Sequence, residues 1–176
     1  ELRAATGARL LGLFAHEDMD FELDRDPVQE PTTAEMAAAA LKAISQGSPN
    51  GIVLVIENEN VDTASHANDA ASLMHALWAF DDAVKVALEF QRRTPGTLVI
   101  ITGDLINKPG DPAQIAEYQR IARKLDPTIP LYRMSGNHDI ENAPTPATIA
   151  AYEKIFGPDN YTFRHGSFLG IVLNST

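Results

Sequence analysis

Short apolar runs, each followed by turn or polar residues, alternate with longer amphipathic stretches along the chain. The runs at residues 10–14, 52–56, 98–102 and 129–135 predict strands, because aliphatic and β-branched residues cluster there between Gly, Pro and polar residues. The run at 52–56 is continuously apolar and the run at 98–102 is apolar up to Thr102, which is typical of strands buried on both faces. We therefore predict a mostly parallel sheet whose strands are connected by helices.

Capping patterns mark where the connecting helices begin. Thr32 and Glu35 have the spacing of a capping box, and they start a predicted helix that Gly47 ends. Asp111 and Thr145 each precede a proline, which is the arrangement of an N-cap followed by Pro at the first helical position. These signals predict helices after the first strand, after the third strand and after the fourth strand.

The longest amphipathic stretch, residues 68–93, predicts a helix between the second and third strands. Apolar residues at a spacing of three to four form its predicted buried stripe: Leu73, Leu77, Phe80, Val84 and Leu88. Near the end of the chain, residues 161–164 and 168–173 flank His165-Gly166-Ser167 and predict a hairpin.

Together these elements predict a single α/β domain over residues 1–176, with three layers in the order α/β/α. Its central sheet is expected to be mostly parallel, and the hairpin is expected at its C-terminal end. In such sheets ligands bind beyond the carboxyl ends of the strands. The polar residues that follow the predicted strands are therefore the candidates for chemistry.

Composition and charge exclude several kinds of partner. A net charge of −10 leaves no basic surface for non-specific binding to nucleic acid or to an anionic membrane. The absence of cysteine excludes disulfides and zinc sites made of thiolates. No apolar run approaches the ~18 residues of a membrane-spanning helix. A phosphate ester stays compatible with this charge if metal ions supply the positive potential locally.

Two polar segments follow the third and fourth predicted strands. Asp104 comes directly after a strand, and its carboxylate can bridge two metal ions that polarise a phosphoryl group, with Asn107 beside it. The carbonyl of Asn137 is a neutral oxygen ligand, and His138 can donate a proton to a phosphate oxygen. We expect Asp139 to orient the imidazole of His138. The alternative for both segments is a polar turn without a ligand.

A third polar segment follows the 52–56 run and contains Glu57, Asp62 and His66. Asp62 and His66 are four residues apart, so they share a face if the segment is helical. With one further carboxylate they make part of a zinc or magnesium site. The alternative is a solvated acidic loop in front of a helix.

The strings Gly103-Asp104-Leu105-Ile106-Asn107 and Gly136-Asn137-His138-Asp139 give residues 95–176 a resemblance to the calcineurin-like metallophosphoesterases, in their serine/threonine phosphatase branch. The resemblance implies that Asp104 bridges two metals and that Asn137 binds the second metal. It also implies that His138 assists at the phosphate.

Residues 5–100 resemble a different family. The resemblance lies in the segment 21–27, in Glu57 and in the string from Asp62 to Ala70. This part is similar to bacterial alkaline phosphatase. The resemblance implies that Glu57 is a magnesium ligand and that Asp62 and His66 bind one zinc. Asp104 fits this family as well, although Leu105 replaces the zinc histidine that would follow it.

The two resemblances meet near residues 95–104, so the chain reads as a hybrid. Residues 1–97 are the alkaline-phosphatase-like part, and residues 98–176 are the metallophosphoesterase-like part. Engineering, design or natural recombination could each produce it. The resemblance also implies an incomplete site, since the nucleophilic serine of one family and the Asp-x-His string of the other are missing.

The residues therefore favour a metal-dependent phosphoesterase that hydrolyses a phosphate monoester with metal-activated water. One or two divalent ions are expected, from among Zn, Mn, Fe and Mg. The alternative is a non-catalytic α/β scaffold or fragment built from two phosphatase families. Location stays open, since one resemblance implies the periplasm or secretion and the other the cytoplasm. Oligomeric state also stays open.

Overall fold

A computed structural model of the chain describes residues 9–46, 48–125, 127–128 and 130–174. It contains both helices and strands, as expected of an α/β phosphoesterase fold. The chain forms two compact units, Glu1–Thr94 and Pro95–Thr176. No helix in the described ranges is long and apolar enough to cross a membrane.

The described residues of the N-terminal unit form the helices α1 (Thr33–Ser45), α2 (Asn60–His66) and α3 (Ala70–Arg93). The predicted capping box of α1 is confirmed. The amide of Glu35 donates to Oγ1 of Thr32 over 3.0 Å, and the amide of Thr32 donates to the Glu35 carboxylate over 3.1 Å. A cap of this kind stabilises a helix by about 1 kcal/mol. Gly47, the predicted end of α1, lies outside the described residues.

The helix predicted over residues 68–93 begins two residues later, and a separate short helix, α2, precedes it. Asn68 interrupts the two helices because its φ of 55° lies in the left-handed region, which Asn tolerates better than most residues. Asp69 then starts α3, since its carboxylate accepts from the amides of Ala71 and Ser72, each over 3.1 Å.

The buried face of α3 differs from the predicted leucine stripe. Leu77 and Val84 are 47% and 37% exposed, respectively. Small side chains occupy the buried positions: Ser72, Ala76, Ala79 and Ala83. Their spacing of three to four is the predicted one, rotated by about one position around the helix. Small residues let another helix approach closely, and α3 packs against α1 and α2.

The first two predicted strands are wrong. Residues 10–14 and 52–56 carry no strand in the structure. Val53 and Val55 are 87% and 81% exposed, whereas the residues around them are half-buried. Residues 52–56 therefore keep the alternation of a strand without its pairing. A strand forms only when its backbone is hydrogen-bonded to a neighbouring strand, and an apolar sequence does not by itself provide that neighbour.

The described residues of the C-terminal unit form four strands and three helices: β1 (Val99–Ile101), α4 (Pro112–Ala122), β2 (Leu131–Arg133), α5 (Asn137–Ile140), α6 (Pro146–Phe156), β3 (Tyr161–His165) and β4 (Phe168–Val172). β1 and β2 are parallel, with Ile100 opposite Tyr132. β3 and β4 are antiparallel, which confirms the predicted hairpin. Ile129, at the start of the predicted fourth strand, lies outside the described residues.

The described strands therefore form two two-stranded sheets in place of one larger parallel sheet. Tyr161, on β3, holds the hairpin against β2. Its hydroxyl donates to the carbonyl of Arg133 over 2.8 Å and accepts from the amide of Arg133 over 3.0 Å. The rings of Tyr132 and Phe163 stack with centroids 3.7 Å apart. The buried apolar residues of this unit are few among those described: Ile106, Ile140, Tyr152 and Val172.

Both predicted proline-associated caps in this unit are confirmed. Asp111 Oδ1 accepts from the amides of Ala113 and Gln114 over 2.9 and 3.0 Å, and Thr145 caps α6 through the amide of Thr148. The side chain of Gln114 also makes a contact outside the helix. Its Oε1 accepts from the amides of Asn107 and Lys108 over 2.8 and 3.0 Å. The first turn of α4 thereby holds the loop that follows β1.

Candidate metal and phosphate site

The loop after β1 turns sharply at Gly103 and Asp104. Their φ angles are 109° and 50°, so two successive residues lie in the left-handed region. Glycine adopts this region without a steric cost, and Asp tolerates it better than most other residues. The turn places Asp104 on the surface beyond the carboxyl end of β1.

The loop after β2 packs directly against this turn through Gly136. A Cβ atom on Gly103 would lie 2.8 Å from the amide nitrogen of Gly136. A Cβ atom on Gly136 would lie 2.5 Å from the amide nitrogen of Asp104 and would also collide with the Asp104 carboxylate. The two backbones can therefore approach this closely only because both positions are glycine.

Hydrogen bonds join the two loops at His138. The amide of His138 donates to Oδ1 of Asp104 over 3.2 Å, and Nδ1 of its ring lies 3.1 Å from the carbonyl oxygen of Asn107. A carbonyl oxygen can only accept, so Nδ1 carries the proton in this hydrogen bond. Nε2 is then the ring nitrogen that can face a ligand, and His138 is exposed.

Asn137 begins the short helix α5, next to His138. Its side-chain nitrogen donates to Oδ1 of Asn142 over 2.8 Å. This bond uses the amide nitrogen and leaves the carbonyl oxygen as the atom that would bind a cation. Asn142 was not predicted as its partner, because nothing in the spacing of the two residues indicates the bond.

Asp139 does not have the expected partner. Its carboxylate is buried, with Oδ1 accepting from the amide of Ile106 over 3.0 Å and Oδ2 accepting from the amide of Gly136 over 2.9 Å. The Asn107 carbonyl, and not Asp139, orients the ring of His138 through Nδ1. Burial raises the pKa of Asp139, and the charge of Asp104 acts in the same direction against the backbone hydrogen bonds.

In the N-terminal unit, Asp62 and His66 lie one turn apart on α2, as their spacing predicted. Oδ2 of Asp62 and Nε2 of His66 are 3.5 Å apart, and the two side chains are 74% and 82% exposed, respectively. An exposed pair of this kind contributes little to stability. It presents one oxygen and one nitrogen donor to solvent, where a metal ion could reach both.

Glu57 lies before α2 and lines a cavity of about 290 Å³ within the N-terminal unit. Most of the charged residues around this cavity are acidic, and Arg25 is the cation among them. Arg25 is held by Oε1 of Glu22 over 2.8 Å and by the carbonyl of Glu30 over 2.7 Å. The hydrogen bond to Glu22 raises the pKa of Arg25 against its partial burial.

Among the residues that the structure describes, no group of three or more His, Asp or Glu side chains could hold a metal ion. The predicted ligands fall into two sets. The C-terminal unit joins His138 to the Asp104 carboxylate and to the backbone carbonyl of Asn107, with Asn137 next to His138 in the chain, and the N-terminal unit pairs Asp62 with His66. The metal-binding roles of all of them, and of Glu57, stay predictions.

Sequence reasoning missed the residues that shape this site without reacting. The paired glycines Gly103 and Gly136 were recognised as parts of motifs but not as a contact. Gln114 lies in the first turn of α4 and fixes the loop at Asn107, a role that the helix-start pattern at Asp111 does not predict. A Gln at the third helical position can reach back to backbone amides before the helix, and this spacing is the sequence signal for the contact.

Comparisons with known proteins support both resemblances. The family model for alkaline phosphatase matches residues 1–110, and the model for calcineurin-like phosphoesterase matches residues 66–174. The repressible alkaline phosphatase of Saccharomyces cerevisiae is 34% identical over 119 residues, which cover 61% of this chain and 21% of that protein. Alkaline phosphatase 4 of Bacillus subtilis is 35% identical over 96 residues, 54% of this chain and 20% of that protein.

A phosphatase from outside the alkaline phosphatases matches as well. The serine/threonine-protein phosphatase CPPED1 of Bos taurus is 44% identical over 80 residues, which cover 43% of this chain and 26% of that protein. The chain thus spans about a fifth to a quarter of the length of the curated relatives it matches. No solved structure gives a significant match.

Both families are phosphatases that depend on divalent metals. Their two models overlap on this chain over residues 66–110, which contain α3, β1 and Asp104. Each model covers more than half of the 176 residues, so neither match is a chance similarity of one motif. The chain therefore belongs to the alkaline phosphatase family over residues 1–110 and to the calcineurin-like phosphoesterase family over residues 66–174.

Proposed function

We propose that this chain carries a metal-dependent phosphoesterase site at the carboxyl ends of β1 and β2, which hydrolyses a phosphate monoester by attack of water. The observation that carries the proposal is the hydrogen bond from the amide of His138 to Oδ1 of Asp104. It joins the two segments that bear the predicted ligands, although they lie far apart in the sequence. Parallel strands place ligands at this edge of a sheet.

The donor set suits a hard divalent cation. The carboxylate of Asp104 and the carbonyl oxygen of Asn137 are the oxygen ligands that Mg²⁺ and Mn²⁺ accept, and the side chain of Asn107 adds a third oxygen. A bound cation would polarise a phosphoryl oxygen and lower the pKa of the attacking water. These residues fit one such ion, with water completing its coordination.

His138 supplies the acid or the electrostatic stabilisation. Because Nδ1–H is directed to the Asn107 carbonyl, Nε2 can donate a hydrogen bond only when the ring carries both protons. In that form His138 donates from Nε2 to a phosphate oxygen or to the leaving group. In the neutral form Nε2 accepts instead, and the ring could then only remove a proton from water.

We propose separate metal roles for the N-terminal unit, as its family suggests. Asp62 and His66 form a pair of zinc ligands, and Glu57 is a magnesium ligand. The exposed Asp62–His66 pair on α2 supports the first assignment. The identity of the ions among Zn, Mn, Fe and Mg, and their number, one or two, belong to this proposal.

The complete architecture is likewise proposed to be three-layered, α/β/α, around a mostly parallel sheet. The parallel pairing of β1 and β2 supports this arrangement.

One observation favours a second candidate, a non-catalytic hybrid scaffold. Among the described residues no three metal-binding side chains of the His, Asp and Glu types converge. A scaffold of this kind would keep the fold and bind metal weakly, without turnover. The phosphate ester would then not be a substrate.

Hydrolysis of p-nitrophenyl phosphate in the presence of Mn²⁺, Mg²⁺ or Zn²⁺ tests the proposal. Asp104→Asn is the sharpest variant, because Asn tolerates the left-handed backbone and can still accept from the His138 amide. Loss of one preorganised charged group typically lowers kcat by about 10²-fold or more. Asp81→Asn, on the exposed surface of α3, is the charge-matched control and should leave the rate unchanged.

Metal-dependent melting separates the two candidates. A site predicts that saturating Mn²⁺ raises the melting temperature of the unsubstituted chain and of Asp81→Asn but not of Asp104→Asn, because an ion bound only by the folded state stabilises it. Full hydrolytic activity in Asp104→Asn would refute the assignment. No hydrolysis and no shift with any of the three metals would establish the inert scaffold instead.

A further inference from the structure

The buried carboxylate of Asp139 connects the two loops of the candidate site. Its oxygens accept from backbone amides on both loops, Ile106 after β1 and Gly136 after β2, and the amide of Leu105 in the first loop bonds to it as well. The side chain is 3% exposed, so it cannot touch a substrate in the described structure. Any effect of Asp139 on the chemistry is therefore exerted through the residues that it holds in place.

Burying a carboxylate among apolar residues costs free energy unless each oxygen is hydrogen-bonded. Ile140, the next residue, is completely buried, and Ile106, which donates to Asp139, is buried as well. An apolar side chain would be buried in such surroundings at a lower cost in free energy. A carboxylate is useful here because one group with two acceptor oxygens can satisfy an amide from each loop at once.

The two amides lie beside the residues that would do the chemistry. Ile106 is in the loop between Asp104 and Asn107, and Gly136 directly precedes Asn137 and His138. Holding Ile106 and Gly136 to one carboxylate keeps these loops at a constant separation. At that separation His138 meets Asp104 through its amide and Asn107 through its ring.

We propose that Asp139 is a positioning residue of the phosphoesterase site, which fixes Asp104 and His138 relative to each other by binding the backbone of both loops. This inference rests on the proposed function for its catalytic consequence. The alternative is that Asp139 contributes to stability alone. The difference lies in whether its removal changes the site in molecules that remain folded.

Asp139→Asn is the informative substitution. Asparagine has nearly the same size but offers only one acceptor oxygen, and its amide nitrogen would face a backbone donor. One of the two loops must then lose its hydrogen bond. Asp159→Asn is a matched control in the same unit, because Asp159 is also buried and its two oxygens accept from the side-chain amides of Asn160 and Asn174, each over 2.9 Å.

The experiment compares the unsubstituted chain, Asp139→Asn and Asp159→Asn by three measurements. These are the melting temperature, the NMR signals of the His138 amide and ring without metal, and the Mn²⁺ affinity. We expect Asp139→Asn alone to shift the His138 signals and to weaken Mn²⁺ binding about tenfold or more, the usual effect of removing a group that orients metal ligands. In hydrolysis the loss should appear in kcat more than in KM.

Unchanged His138 signals together with unchanged Mn²⁺ affinity in folded Asp139→Asn would overturn the inference and leave a purely structural role. Should Asp139→Asn not fold, Asp139→Glu replaces it. The extra methylene moves both acceptor oxygens, so unaltered His138 signals in that variant would overturn the inference equally. Absence of hydrolysis by the unsubstituted chain would instead refute the proposed function, while the metal-free NMR comparison still tests whether Asp139 positions His138.

Discussion

The amide of His138 donates to Oδ1 of Asp104 across 34 positions of sequence. Asp104 follows β1 and His138 follows β2, and the two strands are parallel neighbours. Parallel pairing places both carboxyl ends at the same edge, so this hydrogen bond is a direct consequence of the strand register. The register thus determines which polar side chains can act together.

The close approach of the two loops makes Gly136 sensitive to substitution. In Gly136→Ala the new Cβ atom would collide with the amide and carboxylate of Asp104, and overpacking of this kind typically costs about 1–3 kcal/mol. We expect a lower melting temperature and loss of metal-dependent hydrolysis. Calorimetry and a hydrolysis assay measure the two effects.

The matched control for this substitution is Gly166→Ala, in the β3–β4 turn. Gly166 has a φ of 58° and nothing within 4 Å of a new Cβ atom, so only backbone strain is added. We expect some loss of stability without loss of hydrolysis. Normal hydrolysis by Gly136→Ala would contradict the close packing of the two loops at the site.

We expect the stability of the fold to decrease at low pH because of Asp69, the N-cap of α3. Hydrogen bonds from the Ser72 hydroxyl and amide lower the pKa of Asp69 in the folded protein. A depressed pKa means that the ionised cap stabilises the fold fully above the unfolded value of about 3.9. That contribution is lost as the pH falls through the lower folded value.

Denaturant midpoints at pH 7 and pH 3 measure this effect. Asp69→Asn should be nearly as stable as the unsubstituted chain at pH 7, because Asn also caps helices well, and it should lose less stability on acidification. Asp69→Ala should be less stable at pH 7. An identical loss on acidification in Asp69→Asn and in the unsubstituted chain would show that this carboxylate does not contribute to the acid sensitivity.

The small residues on the buried face of α3 predict that two substitutions in this helix differ in their effect on stability. Ala83 is completely buried, so Ala83→Leu forces a larger side chain into the packed face and should destabilise by about 1–3 kcal/mol. Leu77→Ala removes a side chain that is 47% exposed and should cost clearly less than the ~2–5 kcal/mol of a buried Leu→Ala change. Urea unfolding of both variants measures the difference. A larger loss in Leu77→Ala than in Ala83→Leu would support the leucine stripe that the sequence suggested.

The sequence by itself determined the elements whose signals are local. Thr32, Asp111 and Thr145 cap the predicted helices because a cap needs only residues within one turn. The hairpin and the strands β1 and β2 were predictable from short apolar runs and turn residues. Family membership was readable as well, since a motif preserves residue order and spacing.

Only the tertiary structure decided the features that depend on residues distant in the chain. The apolar runs at 10–14 and 52–56 do not become strands, because pairing requires a partner that sequence periodicity does not supply. The buried face of α3 is set by how closely α1 and α2 can approach it. Asp139 binds backbone amides of both loops and not the imidazole of His138, because the Gly103–Gly136 contact brings Ile106 within its reach. A local pattern names the side chains of a site, whereas packing and backbone hydrogen bonds choose their partners.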